Sequence, residues 1–253
     1  MLTISGKNLA ALNLSSVCTS CFKVKIKLES QIPVEKKKIP FQIPFPGVFT
    51  SLDSHVKSVV KKYFDSKGTV PKWFPNLGKK IVAIEKPPSW QNFNHYFNEY
   101  DIKLTGSIDT ILRFEDNSFA FGDFKTATIT NTQDMLEPLY KAQLHAYREI
   151  ARANKTFQPV NKLVLIYTEP ISYNYLGDHH YSLDSFDNNF HLHFNVQKKE
   201  LDIEEDLVFN LIKKFIEIMK NPMPPKLDSC PNCVLRERLI LEEKNLILNN
   251  EKN

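Results

Sequence analysis

The chain predicts an α/β protein with a central mixed β-sheet flanked by helices, and three observations carry that prediction. Two apolar segments, LTGSIDTILRF and FAFGDFKTA, read as the arms of a hairpin over 102–127. KLVLIYTEP at 162–170 is a continuous apolar run closed by proline, the pattern of a strand buried on both faces. Helical periodicity recurs at 50–64, 137–154 and 203–220, so helices alternate with the strands.

Taken in order, residues 1–30 open with a short helical pattern and reach Cys18 and Cys21. KVKIKL at 23–28 alternates apolar and charged residues and is expected to be a strand. Residues 31–47, with Lys36–Lys38 and four prolines, are expected to form a loop or an edge. TSLDSHVKSVVKKYF at 50–64 places Val56, Val59, Val60 and Phe64 on the buried side of a helix. Residues 65–100 read as irregular and aromatic-rich. The hairpin turns at Glu115-Asp116-Asn117-Ser118. EPLYKAQLHAYREIARAN at 137–154 is a helix with Pro138 expected in its first turn. HLHFNV at 191–196 alternates as a strand, and 203–220 is an amphipathic helix with acids at its start and Lys at its end. A single domain over 1–235 is expected, followed by a charged helical or frayed tail at 236–253.

The composition admits an ordinary core: of 253 residues, 42% are hydrophobic and 25% charged. Seven glycines against 15 prolines, with neither GxGxxG nor GxxxxGK[ST], speak against a glycine-rich phosphate loop. A net charge of +4 is compatible with nucleic acid without being diagnostic. There is no apolar run of membrane-spanning length and no basic-then-apolar leader, so a cytoplasmic protein without membrane partners is expected. In that compartment paired cysteines are more often metal ligands than disulfides.

The hairpin carries the chemistry. Asp109 is expected on one arm and Asp123 and Lys125 on the next, with thirteen residues between the two aspartates. Residues two apart on a strand share a face, so Asp123 and Lys125 project together while Phe124 enters a core. Two carboxylates hold a hard divalent cation, which activates water and neutralises a leaving group, while a lysine beside it stabilises phosphoryl charge. D-x-K by itself is common on solvated strands, but here apolar residues lie on both sides of the charges. On the following helix Gln143 and Tyr147 are four apart and share a face.

GSID at 106–109, GDFKT at 122–126 and QLHAY at 143–147 resemble the successive motifs of the PD-(D/E)XK nuclease superfamily. The similarity extends to its RecB-type branch, which includes the CRISPR-associated adaptation nucleases, and it covers about residues 15–235. The resemblance implies a restriction-endonuclease-like core and metal-dependent DNA cleavage with Mg²⁺ or Mn²⁺. It implies His55, Asp109, Asp123 and the carbonyl of Phe124 as metal ligands, Lys125 as the catalytic lysine, and Gln143 and Tyr147 as an auxiliary pair. The alternative is a non-catalytic DNA-binding or structural protein that keeps the fold. Single-stranded DNA or duplex ends are the expected partners, and any helicase or other DNA-processing motor would be a separate chain.

All four cysteines fall into two C-x-x-C pairs, Cys18/Cys21 and Cys230/Cys233. Each pair lets two thiolates reach one metal, so a four-thiolate site joining the N- and C-terminal segments is expected. It could hold zinc or an iron–sulfur cluster. RecB-type relatives that bind a 4Fe–4S cluster place one cysteine before the core and three after, whereas this chain has two and two. The other basic residues are scattered, and the aromatics at 73–97 read mainly as core. His179, His180, His191 and His193 read as surface or packing residues.

Overall fold

The computed structural model describes residues 2–31, 47–127, 131–171 and 193–250. The expectations for the Lys36–Lys38 loop, for His179 and His180, and for His191 fall outside these residues. Two compact units divide the chain, one of residues 1–14 and 45–211 and the other of residues 15–44 and 212–253.

The first unit is built on a mixed sheet. Its strands are β2 (Ile81–Glu85), β5 (Thr110–Phe114), β6 (Phe119–Lys125), β7 (Val160–Pro170) and β8 (Phe194–Leu201), in the order β2-β5-β6-β7-β8. Only β6 and β7 run parallel; the other three pairings are antiparallel. The parallel pair is joined through α4 (Asn131–Ala153), as a parallel connection requires. Strands β6 and β7 are almost wholly buried, which is why both read as apolar runs. A second sheet, ordered β1-β4-β3, comprises β1 (Leu2–Ser5), β3 (Asn94–Phe97) and β4 (Ile102–Thr105).

Side chains alternate across the main sheet. Leu112, Phe114, Ala120, Phe124, Val164 and Ile166 enter one core with Val60 of α3 (Gly47–Lys67), and Val56 and Phe64 pack at its margin. Odd-numbered residues of β6 face the other way, where Lys125 meets Tyr140 of α4. The short helix α1 (Gly6–Ala10) also packs on α4.

Several elements differ from the sequence reading. KVKIKL belongs to helix α2 (Thr19–Gln31), not to a strand. Cys18, Phe22 and Ile26, four apart, are all buried, and that spacing overrides the six-residue alternation. Strands β2 and β3 occupy the stretch read as irregular. Helix α4 starts at Asn131, so Pro138 lies inside it rather than in its first turn. β8 begins at Phe194, three residues later than the alternation implied. The last helices are α5 (Leu207–Lys220) and α6 (Pro231–Asn250), the latter extending through most of the segment read as a tail.

The second unit carries α2, the end of α5 and α6. Phe22 and Phe215 meet edge to face at 6.2 Å. The buried Lys23 donates to the carbonyls of Ile218 (2.7 Å), Met219 (3.2 Å) and Asn221 (2.5 Å). An ammonium there satisfies carbonyls at the C-terminus of α5 and opposes its dipole.

Candidate active site

The hairpin register places the two aspartates. Arg113 pairs with Phe119, Leu112 with Ala120, Ile111 with Phe121 and Thr110 with Gly122. One step further along that ladder, Asp109, immediately before β5, stands opposite Asp123. Their carboxyl groups interact directly. The Phe124 N–H donates to Asp109 Oδ2 at 3.1 Å, which fixes the Asp109 side chain against β6.

Asp123 is 6% exposed. Burial pushes its pKa up to about 6; Lys125 pulls it down and the Asp109 charge pushes it up again. Lys125 Nζ lies 2.5 Å from the buried Asp123 Oδ2 and forms an ion pair with it. A buried carboxylate facing a second carboxylate supplies the donor set of a hard cation, and these residues fit one. Lys125 also sits 4.0 Å from the centre of the Tyr140 ring, a cation–π contact that fixes the ammonium.

Gln143 and Tyr147 reach the same place from α4. Tyr147 is buried, with the Gln143 side chain and the Ser107 backbone next to its phenol group. Burial first, and then the nearby Asp123 charge, hold the phenol strongly protonated. Its ring fills space that only glycine leaves: a Cβ on Gly106 would come within 2.7 Å of Tyr147 Cδ1. The pair therefore clamps the GSID turn that presents Asp109.

His55 is not brought to this cluster. It is exposed on α3. Lys57, two residues on and roughly 160° around the helix, is the α3 residue that arrives. Its Nζ lies 2.8 Å from Asp109 Oδ1 and 2.6 Å from Asp53 Oδ2. Burial alone would lower the Lys57 pKa, but the two carboxylates outweigh it and raise it. Among the described contacts, the α3 side chain on Asp109 is the Lys57 ammonium. Lys57, Tyr140 and Ser107 escaped the sequence reading. Asp53 and Lys57 at i,i+4, and Tyr140 seven residues before Tyr147 on one helix face, are the signals that could have found the first two. A cavity of about 350 Å³ opens beside the cluster, lined by Lys57, Lys61, Lys86, Pro87, Asp109 and Phe124 among others.

A family model of the PD-(D/E)XK nuclease superfamily matches residues 50–238, from α3 into α6. The chain belongs to the PD-(D/E)XK nuclease superfamily. No curated protein matches the chain. The matched span contains Asp109, Asp123, Lys125, Gln143 and Tyr147, as well as Cys230 and Cys233. Cys18 and Cys21 lie outside it.

The cysteines form a separate centre within the second unit. All four Sγ atoms lie within 4.8 Å of one another, and none is in a disulfide. Cys21 and Cys233 are 3.2 Å apart, Cys18 and Cys233 3.5 Å, and Cys21 and Cys230 3.8 Å. Burial acts to raise the Cys18 pKa, but the Cys21 N–H and the neighbouring thiols bring it down to about 7. Burial and the shared thiol contacts push Cys21 the other way. Four convergent sulfurs fit a metal. Among the described residues, no helix is long and apolar enough to cross a membrane.

Proposed function

We propose that the protein is a metal-dependent nuclease that hydrolyses DNA phosphodiester bonds. The buried Asp123 carboxylate, opposite Asp109 and ion-paired with Lys125, carries this reading. Asp109, Asp123 and the Phe124 carbonyl would hold Mg²⁺ or Mn²⁺. The cation would polarise the scissile phosphate and lower the pKa of a water. Lys125, fixed by Asp123 and Tyr140, donates to the attacking water or to a phosphoryl oxygen, so charge developing on the phosphate meets a preset ammonium. Lys57 neutralises Asp109 and stands on the cavity wall with Lys61 and Lys86, where a substrate strand's phosphates bring the opposite charge. Tyr147 and Gln143 act through the GSID turn, as positioning residues.

Within the superfamily we place the chain in the RecB-type branch, similar to the CRISPR-associated adaptation nucleases. The Gln143–Tyr147 helix and the flanking cysteines support that placement. For the cysteines we propose a single tetrahedral zinc in place of a 4Fe–4S cluster. Thiolates about 2.3 Å from one tetrahedral ion stand about 3.8 Å apart, close to the observed separations. In a cluster each thiolate would bind its own iron, which spreads the sulfurs further.

The test is incubation of the purified protein with end-labelled single-stranded and duplex DNA. Cleavage with Mn²⁺ and none with EDTA is expected. Failure to cut any DNA with either cation would overturn the assignment.

A further inference from the structure

Trp90 stands out because it is exposed but not loosely held. It is 64% exposed, the most solvent-facing ring among the aromatics of 73–97, while Phe74 and Phe93 of the same stretch are buried. The turn that carries it is fixed at both ends. On one side, Pro87 and Lys86 line the cavity shared with Asp109 and Lys57. On the other, Phe93 packs edge to face on Tyr147 at 6.2 Å, and its carbonyl accepts the Gly106 N–H at 2.8 Å. Between these anchors the Ser89 carbonyl accepts from both Asn92 and Phe93, each at 2.9 Å. Pro87 and Pro88 restrict the entry to the turn. Trp90 therefore lies on a short turn between Lys86 and Pro87, which line the cavity with Asp109, and Phe93, which is hydrogen-bonded to the turn that presents Asp109. The protein's other tryptophan, Trp73, rests against Phe74 at 6.3 Å and has no such link to the site.

A large rigid aromatic in water loses little conformational entropy on contact and offers one face to a flat, apolar partner. Lys57, Lys61 and Lys86 line the cavity that Pro87 shares with Asp109 and Glu85, and their ammonium groups favour a partner that carries negative charge. An unpaired nucleobase on a phosphate backbone has both properties, whereas a base inside a duplex keeps its face stacked on its neighbours. We propose that Trp90 is a stacking platform for an unpaired base next to the scissile phosphate, and that the site therefore selects single-stranded or frayed nucleic acid over intact duplex. This rests on the nuclease reading above and adds to it the strand form of the substrate.

The chain has two tryptophans, so Trp73→Phe leaves Trp90 as the sole indole. In EDTA, which prevents cleavage, that variant is titrated with a fluorescein-labelled oligothymidylate. Anisotropy of the label reports binding, and intrinsic emission reports stacking. The expected result is saturable quenching that tracks the anisotropy, and no quenching by a blunt duplex of the same length. Trp90→Ala should weaken oligothymidylate binding about 5- to 100-fold, with Trp90→Phe in between. Oligouridylate in a parallel titration separates DNA from RNA. Binding of the single strand without quenching, or equal quenching by the duplex, would overturn the platform while leaving the nuclease reading intact. Binding of neither form would overturn both.

Discussion

At Gly122 the hairpin leaves no room for a side chain. A Cβ there would lie 2.6 Å from Thr110 Cγ2, on the rung next to the Asp109–Asp123 pair. The glycine of GDFK is thus a packing requirement of the ladder that aligns the carboxylates. G122A is expected to cost about 1–3 kcal/mol through overpacking and to impair cleavage by shifting Asp123. Thr110→Ser removes the opposing methyl, so the double variant should recover most of both losses, a coupling that urea denaturation of the four proteins measures. Additive effects would show that the close approach is not what glycine relieves. The aspartates and Lys125 were legible at this scale because period-two alternation fixes which β6 side chains share a face. Lys57 was not, because its partner Asp109 is distant in sequence and only the folded α3 brings them together.

At the scale of elements, α4 does two jobs, with Tyr140, Gln143 and Tyr147 turned to the site and His145 to a different neighbour. His145 Nδ1 bonds the Lys141 carbonyl at 2.7 Å and Nε2 accepts the Glu204 N–H at 2.8 Å, which requires a neutral ring protonated on Nδ1. Burial, together with the Lys141 and Arg148 charges, lowers its pKa below 6.5. The unfolded chain then binds the proton more readily than the folded one. The stabilising contribution is complete above pH 6.5 and is lost as pH falls through the depressed folded value. Urea midpoints should therefore drop between pH 7.5 and 5.5 more steeply for the wild type than for His145→Gln. Equal slopes would remove His145 from the account. Strands β2 and β3 are not legible because they are five and four residues long and neither shows a clean alternation of buried and exposed positions. Helix α2 was misread because Lys and apolar residues alternate over 23–28, while its burial follows a four-residue spacing that begins at Cys18.

For the whole molecule, the two chemical centres share no residue. The cysteine pairs are separated by 208 residues of chain, so one metal closing that loop should stabilise strongly. Metal analysis should find about one zinc per chain in a colourless protein; Cys18→Ser or Cys230→Ser should release it and lower the melting temperature. Brown protein containing iron would restore the cluster, and four titratable thiols in a stable metal-free protein would remove the staple. The sequence made this centre visible through spacing alone, because C-x-x-C is a local knuckle; what it could not supply was how closely the four sulfurs converge. The central claim is hydrolysis at the β5–β6 carboxylates, and it stands apart from the cysteines. Its most direct measurement is single-turnover cleavage of labelled DNA in Mn²⁺ by the wild type and by Asp123→Ala, with circular dichroism confirming the fold of both. Loss of at least about a hundredfold in rate with the fold retained is predicted; wild-type cleavage by Asp123→Ala would contradict it.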